Sequence, residues 1–298
     1  MTTDPRDTVD GLLQSASARL AAAALGGDTP RLDAELLLAH VTGRNRTQFR
    51  AWPEHPVPPE QARAFDALVA RREAGHPIAH LLGEQEFWSL PLRVSDATLI
   101  PRPDTECLVE TALTLSLPHR AQVLDLGTGT GAIALALASE HPAWRVTACD
   151  RVPAAVELAR DNARRLKLAI AVHVSDWFSG LPASRFDLIV ANPPYIREND
   201  HHLVEGDVRF EPASALVAGP DGLADLRHIV ERAPAWLAPG GWLLLEHGYD
   251  QGAAVRGLLQ ARGFDTVDTR QDYGRRDRMT LGRWPTRPAA PEDIDHAQ

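Results

Sequence analysis

From Ala121 onward, seven strand-like apolar runs follow one another, at 121–126, 145–150, 170–174, 186–191, 241–246, 264–269 and 278–282. Helical patterns separate the earlier ones, and that alternation leaves few folds open. Parallel neighbours need a long crossover, which a helix supplies, and successive crossovers place helices on both faces of the sheet. The last two runs are joined around Asp272-Tyr273-Gly274, too short a link for a helical crossover, so they should pair antiparallel. The implied fold is α/β: a seven-stranded, mostly parallel, doubly wound sheet with one reversed strand. Ligands of such sheets bind beyond the carboxyl ends of strands, near the point where the strand order reverses.

The first run, Gln122-Val123-Leu124-Asp125-Leu126, empties into Gly127-Thr128-Gly129-Thr130-Gly131, and a helical pattern begins at Ala132. Glycines let the backbone approach a ligand closely, and the following helix offers free N–H groups at its start. Asp150 closes the second run roughly twenty residues later, where a carboxylate can hold ribose hydroxyls. Gly127-x-Gly129-x-x-Ala132 also satisfies the dinucleotide fingerprint, so a nicotinamide or flavin nucleotide competes as ligand. Asp125 and the strict Gly-x-Gly-x-Gly alternation favour S-adenosylmethionine instead. A carboxylate ahead of the turn repels a pyrophosphate and attracts an ammonium or sulfonium.

The fourth run, 186–191, ends at Asn192-Pro193-Pro194-Tyr195. Two prolines stop the strand and stiffen the loop, because proline fixes φ and donates no hydrogen bond. The loop then presents one carboxamide, two carbonyls and one aromatic face, a set suited to gripping a flat NH2 group such as an amide or an exocyclic base amine. Alone, it is equally a Pro-rich turn.

Together these motifs resemble the class I S-adenosylmethionine-dependent methyltransferases. From about Ala34 to Leu281 the chain closely resembles the protein glutamine N5-methyltransferases that modify peptide chain release factors. The resemblance rests on Pro77-Ile78-Ala79-His80-Leu81, Glu86-Phe87-Trp88, Leu99-Ile100-Pro101-Arg102-Pro103-Asp104-Thr105-Glu106, Ser175-Asp176-Trp177-Phe178, Asn192 to Tyr195, and Asp207-Val208-Arg209-Phe210-Glu211-Pro212. Asn-Pro-Pro-Tyr is shared with DNA and RNA amino-methyltransferases, so base methylation is the alternative activity; the Pro-Arg-Pro-Asp-Thr-Glu stretch is much more specific.

The resemblance implies a cofactor, S-adenosylmethionine, and a protein substrate, a glutamine in the Gly-Gly-Gln loop of a release factor. It implies that Asn192 and the Pro193 carbonyl each accept one amide hydrogen, with Tyr195 against the amide plane and Pro194 completing the substrate loop. Gly127, Thr128, Gly129, Thr130 and Gly131 would lie along the methionine part, with Asp125 near its ammonium. Asp150 would take the ribose, while Asp176 and Trp177 would meet the adenine; without the resemblance, Trp177 is equally a core aromatic. Pro101 to Glu106 either covers the cofactor or joins two domains. An amide nitrogen is a poor nucleophile, but an N-alkylated amide cation is very acidic. Positioning therefore matters more than a strong base.

Upstream, the pattern to about Leu82 is helical. One helix carries Leu12, Leu13, Leu20 and Leu25 and stops at Gly26-Gly27; a second carries Leu32, Leu36, Leu37 and Leu38 and stops at Gly43; a third spans 59–74. The expected division is a substrate-recognising helical bundle over 1–84, a linker or hairpin over 85–100 with Leu90-Pro91-Leu92 as its turn, a catalytic domain over 101–284, and a disordered Pro-rich tail over 285–298. The net charge of −9 disfavours direct nucleic-acid binding, which needs a basic surface. Arg44, Arg46 and Arg50 read as a solvated helix face. No apolar run is long enough for a membrane span and no export signal is visible, so the chain reads as cytoplasmic; a monomer is expected. Cys107 and Cys149 read as reduced core residues. Neither the pair His201-His202 nor any other spacing supports a metal site; His247 reads as structural, and Glu211 as a substrate contact or a loop anchor.

Overall fold

The computed structural model describes residues 7–25, 27–204 and 206–286. The backbone clusters into two units. One holds the chain up to Gln85 with Val94–Asp96 and His201–Glu211; the other holds Glu86–Arg93, Ala97–Asp200 and the chain from Pro212 onward.

The first unit is helical, and its local sequence sets the helix ends. Thr8 Oγ1 accepts from Gly11 N at 3.2 Å to start α1 (Val9–Ala22). Proline opens α2 (Pro30–Thr42), where its missing N–H costs nothing, and Gly43 ends it in the left-handed conformation. A capping box frames α3 (Arg46–Ala51): Asn45 Oδ1 accepts from Gln48 N, and Gln48 Oε1 accepts from Asn45 N. Then come α4 (Pro59–Glu73) and α5 (Ile78–Leu82). Leu13, Leu20, Leu37, Leu38, Phe65 and Val69 form the core they share. Arg72 Nε pairs with Asp33 Oδ2 at 2.8 Å inside this unit. Removing one partner of so buried a pair costs about 3–5 kcal/mol.

That ion pair explains a departure from expectation. Helix α1 closes at Ala22, ahead of Gly26-Gly27. Gly27 instead lets the Arg72 guanidinium through, since a Cβ there would overlap it. Residues 201–211, inside the span assigned to the catalytic domain, belong to the helical unit. There the His76 and Phe210 rings lie 4.5 Å apart, and Arg209 Nη2 donates to Ala74 O at 2.7 Å.

β1 (Glu84–Phe87) and β2 (Leu90–Arg93) form a two-stranded sheet. Its turn is Trp88-Ser89, with φ of 53° and 58°. Both central residues at positive φ is what a two-residue hairpin of matching twist needs. Leu90-Pro91-Leu92 therefore lie in β2 and not in the turn. A two-stranded sheet has only edges, where a proline is tolerated, and Leu92 is fully buried.

The second unit follows the alternation in the sequence. After α6 (Pro103–Thr114) come β3 (Gln122–Leu126), α7 (Ala132–Glu140), β4 (Arg145–Asp150), α8 (Pro153–Leu166), β5 (Ile170–Val174) and β6 (Phe186–Ala191). Then follow α9 (Ala224–Arg232), β7 (Leu237–Glu246), α10 (Gly252–Arg262), β8 (Asp265–Gln271) and β9 (Asp277–Arg283). The sheet order is β5-β4-β3-β6-β7-β9-β8. Only β9 is reversed, pairing antiparallel with β7 and β8. Strand residues alternate between faces: Val123 packs with Leu108, Leu135 and Val156 from α6, α7 and α8, while Leu124 and Leu126 pack with Leu226 and Val255 from α9 and α10. Helix α7 is buried from Ala132 to Ala138, as its all-apolar circumference requires. Truncating a fully buried leucine such as Leu124 to alanine would cost about 2–5 kcal/mol.

The order reverses at β3, which pairs with β4 on one side and β6 on the other. Leu126 lies opposite both Cys149 and Ala191. The next residue along each chain is Gly127, Asp150 or Asn192, so these three lie side by side at the carboxyl edge of the sheet. No described helix is long and apolar enough to cross a membrane. Beyond Thr286, the expected tail 285–298 lies outside the described residues.

Candidate active site

An open cleft lies at this reversal point. Its first wall is the glycine turn. Gly127, Gly129 and Gly131 have φ of 71°, 54° and 87°, a left-handed run that side-chain-bearing residues resist. Gly131 N donates to Thr128 O at 2.8 Å, and Thr128 N to Cys149 O at 2.9 Å. Asn162, fully buried on α8, donates through Nδ2 to Thr130 O at 2.9 Å. Gly127, Thr128, Gly129 and Thr130 all line the cleft. Gly131 does not; it serves close packing, since a Cβ there would lie 3.1 Å from Leu135 Cδ1 and 3.2 Å from Ala159 Cβ.

Asp150 stands beside the turn and lines the cleft. Its Oδ2 accepts from Gly129 N at 3.0 Å and its Oδ1 from Val152 N at 2.9 Å. Both oxygens keep lone pairs for ligand hydroxyls. Asp176 and Trp177 follow β5 and complete that wall. Trp177 sits at φ 48°. Its carbonyl accepts from Ser175 Oγ at 2.7 Å. The indole edge lies over Gly127, where a Cβ would meet Trp177 Cζ3 at 3.4 Å.

Asp125 lies elsewhere. It is fully buried beneath the turn and outside the cleft lining. Its Oδ2 accepts from Thr128 Oγ1 at 2.6 Å and from Ala134 N at 3.2 Å, tying the turn to the start of α7. Among the described residues nothing donates to its Oδ1. Burial, partly offset by the two donors, pushes its carboxyl up to about 7.

The opposite wall is Asn192-Pro193-Pro194-Tyr195. Asn192 and Pro194 line the cleft, and Pro193 and Tyr195 are the adjoining residues of the same loop. Asn192 Nδ2 donates to Thr105 Oγ1 at 3.1 Å. The Tyr195 hydroxyl donates to Glu246 Oε1 at 3.4 Å. Glu246 closes β7 and is only 2% exposed. Burial pushes its carboxyl up to about 7, against the pull of the Thr105 hydroxyl and the Arg278 charge. His247, one residue on, is spent on structure: Nδ1 meets Gly248 O and Nε2 meets Thr280 Oγ1, each at 2.8 Å.

Pro101, Arg102 and Thr105 also face the cleft, so the Pro-Arg-Pro-Asp-Thr-Glu stretch both starts α6 and walls the site. Thr98, just upstream, is 2% exposed and lines the same cleft. Among the described residues its hydroxyl meets no partner. An orphaned buried hydroxyl facing a cleft calls for a polar ligand. With an open glycine backbone, a ribose-competent carboxylate and an indole around it, the site suits a nucleoside bearing an amino-acid tail. Thr98 and Glu246 are absent from the sequence-derived site, and Thr105 entered it only within the stretch Pro101 to Glu106. One signal was available for Glu246: it is the acidic end of the apolar run Leu243-Leu244-Leu245, and Leu245 pairs with Ala191 in the sheet, so Glu246 lies level with Asn192.

Comparison with known proteins agrees with this geometry. Residues 11–83 match the model of the PrmC N-terminal domain, and residues 103–215 that of the methyltransferase small domain. The release factor glutamine methyltransferase of Pseudomonas aeruginosa is 61% identical over 260 residues, covering 86% of this chain and 94% of that protein. The Vibrio cholerae protein of the same name is 53% identical over 281 residues, covering 94% and 98%. Among solved structures, a methyltransferase from Pyrococcus furiosus shares the fold, with a TM-score of 0.51 at 18% identity over 74% of this chain and 98% of that one. With relatives this similar over nearly its full length, and with a matching cleft at the reversal of its sheet, the chain belongs to the release factor glutamine methyltransferases, S-adenosylmethionine-dependent enzymes that methylate protein glutamine.

Proposed function

We propose that this protein methylates the side-chain N5 of the glutamine in a Gly-Gly-Gln loop of a peptide chain release factor. One observation carries the reading: the Asn192 carboxamide stands in the cleft wall level with the glycine turn, with its amino end tied to Thr105. Among the described residues none donates to Asn192 Oδ1, which stays available to an incoming N–H.

When bound, S-adenosylmethionine supplies an electrophilic methyl carbon. Gly127 to Thr130, Asp150, Asp176, Trp177 and Thr98 would hold it, and Asp125 would support the turn from below. The chain's own task is then to aim a weak nucleophile. Asn192 Oδ1 and the Pro193 carbonyl accept the two hydrogens of the glutamine amide, and Pro193 and Pro194 keep both acceptors fixed. Tyr195, anchored on Glu246, backs the loop. Prealigned acceptors withdraw no further energy at the moment of reaction and stabilise the positive charge that grows on the amide nitrogen.

The test uses labelled S-adenosylmethionine with purified release factor and, separately, with DNA and RNA. Label should enter a single glutamine, located by peptide mass spectrometry. Asn192→Ala should slow single-turnover transfer roughly a hundredfold, the usual loss for one prealigned partner. Label in nucleic acid, or at another protein residue, would point to the base-methylating activity or to a different substrate.

A further inference from the structure

We propose that Gln251 is a positioning residue for the loop from Asn192 to Tyr195, holding the Tyr195 backbone so that the loop's acceptors meet the substrate amide in line. This rests on the reading that Asn192 Oδ1 and the Pro193 carbonyl accept the glutamine amide.

The loop cannot hold itself. Pro193 and Pro194 have no N–H, so neither donates a bond to the walls around it. Its leading end is set by β6 and by the bond from Asn192 Nδ2 to Thr105 Oγ1. Its trailing end has to be fixed from outside, at Tyr195 or just beyond.

Gln251 supplies that tie. It stands at the start of α10, where a side chain ordinarily accepts from the helix, yet its carboxamide caps nothing. The carboxamide turns instead to the loop: Nε2 donates to Tyr195 O at 3.1 Å and to Gly222 O at 3.2 Å, and Oε1 accepts from Gly248 N at 2.8 Å. Two carbonyls at one end and an N–H at the other leave the amide a single orientation, with both its hydrogens used. Gln251 is 4% exposed, so bulk water does not compete for these bonds. Gly222 takes φ 72°, and a Cβ there would lie 2.3 Å from Tyr195 O. Glycine thus leaves the room in which that carbonyl meets the amide. One residue on, Ile196 N donates to Leu216 O and Ala218 N donates to Ile196 O, each at 2.9 Å. The Tyr195 hydroxyl reaches Glu246 Oε1. The connection from β7 to α10 therefore holds this tyrosine by its hydroxyl and by its carbonyl. Gln251 is not among the residues lining the cleft, so its effect passes through the loop.

Gln251→Glu keeps the oxygen that meets Gly248 N and removes both donors; Gln251→Met removes all of these bonds at similar length. At saturating cofactor and release factor, each should slow single-turnover transfer at least about tenfold, equivalent to ~1.4 kcal/mol on the barrier. Cofactor affinity by calorimetry should move less than about threefold, because the glycine turn and Asp150 belong to other strands. A residue that only shaped the start of α10 would be replaced almost as well by glutamate, which keeps the Gly248 bond. The diagnostic measurement is the double-mutant cycle with Asn192→Ala: a residue that aligns Asn192 adds little further loss once Asn192 is gone. Gln251→Met, being neutral, carries the test if the glutamate variant fails to fold. Folded variants at the parental rate, or losses that multiply fully with Asn192→Ala, overturn the assignment of Gln251. An Asn192→Ala enzyme at the parental rate overturns the underlying reading of Asn192 instead.

Discussion

Replacing Asp125 with asparagine should flatten the pH dependence of stability, and the size of the effect follows from the geometry beneath the glycine turn. The Asp125 carboxyl is fully buried, two donors reach only Oδ2, and its ionisation is raised from an ordinary 3.8 to about 7. The folded protein thus binds this proton more tightly than the unfolded chain does. The stabilisation is complete below 3.8 and is lost as pH rises through about 7. Between about pH 5.5 and about pH 8.5 the group removes roughly 2 kcal/mol by linkage. Glu246, raised to about 7 for the same reason, removes a similar amount over the same window. Asparagine keeps an acceptor for Thr128 and Ala134 but never ionises. Urea denaturation followed by tryptophan fluorescence at the two pH values should show parent and Asp125→Asn differing in their pH response by about 2 kcal/mol. The absolute stability of the variant is a separate matter, because its new N–H2 group lies where Oδ1 had no partner. Equal pH responses would refute the reasoning and mean that water or a relaxed turn solvates the carboxylate.

Two further substitutions separate scaffold from cofactor. Gly131→Ala must hold a side chain at φ 87° with Leu135 and Ala159 in the way, so chemical denaturation should show about 2–4 kcal/mol less stability, part left-handed strain and part overpacking. Asp150→Ala should weaken S-adenosylmethionine binding by about 1.5–3 kcal/mol for each charged hydrogen bond lost; unchanged affinity in a calorimetric titration removes Asp150 from the ribose position.

The sheet was legible because its strands are buried on both faces, which writes them as short continuous apolar runs between helical patterns. The glycine turn, Asp150 and Asn192 were legible because their chemistry is local: each is the first departure from an apolar strand. The parts that escaped depend on contacts the sequence does not display. Trp88-Ser89 makes a left-handed turn without the glycine or asparagine that signals one, and Leu90-Pro91-Leu92 drew the turn to the wrong place. Asp125 looked like a cofactor ligand from its place in the motif, and only its burial shows it bracing the turn. Thr105 is far from Asn192 in sequence and meets it only because α6 begins where β6 ends, and Glu246 lies level with Asn192 only because β7 pairs with β6. The segment 201–211 is continuous with the catalytic span in sequence, yet His76 and Ala74 hold it in the helical unit.

The identity of residue 192 follows from the carboxylate behind it. An aspartate there could present two acceptor oxygens to a substrate amide, which looks at first the better arrangement. It would also lie level with Glu246 at the end of the neighbouring strand, where Glu246 is already hard to ionise. A second carboxyl on the adjacent strand end disfavours charging both, which favours a proton retained by the pair. A protonated aspartate turns one acceptor into a donor and loses the geometry it was meant to supply. Asparagine avoids the conflict by being neutral, and its Nδ2 donates to Thr105 Oγ1. The Glu246 carboxyl is therefore kept out of the cleft lining, where it accepts from the Tyr195 hydroxyl. That placement suits a reaction whose difficulty is alignment and not deprotonation.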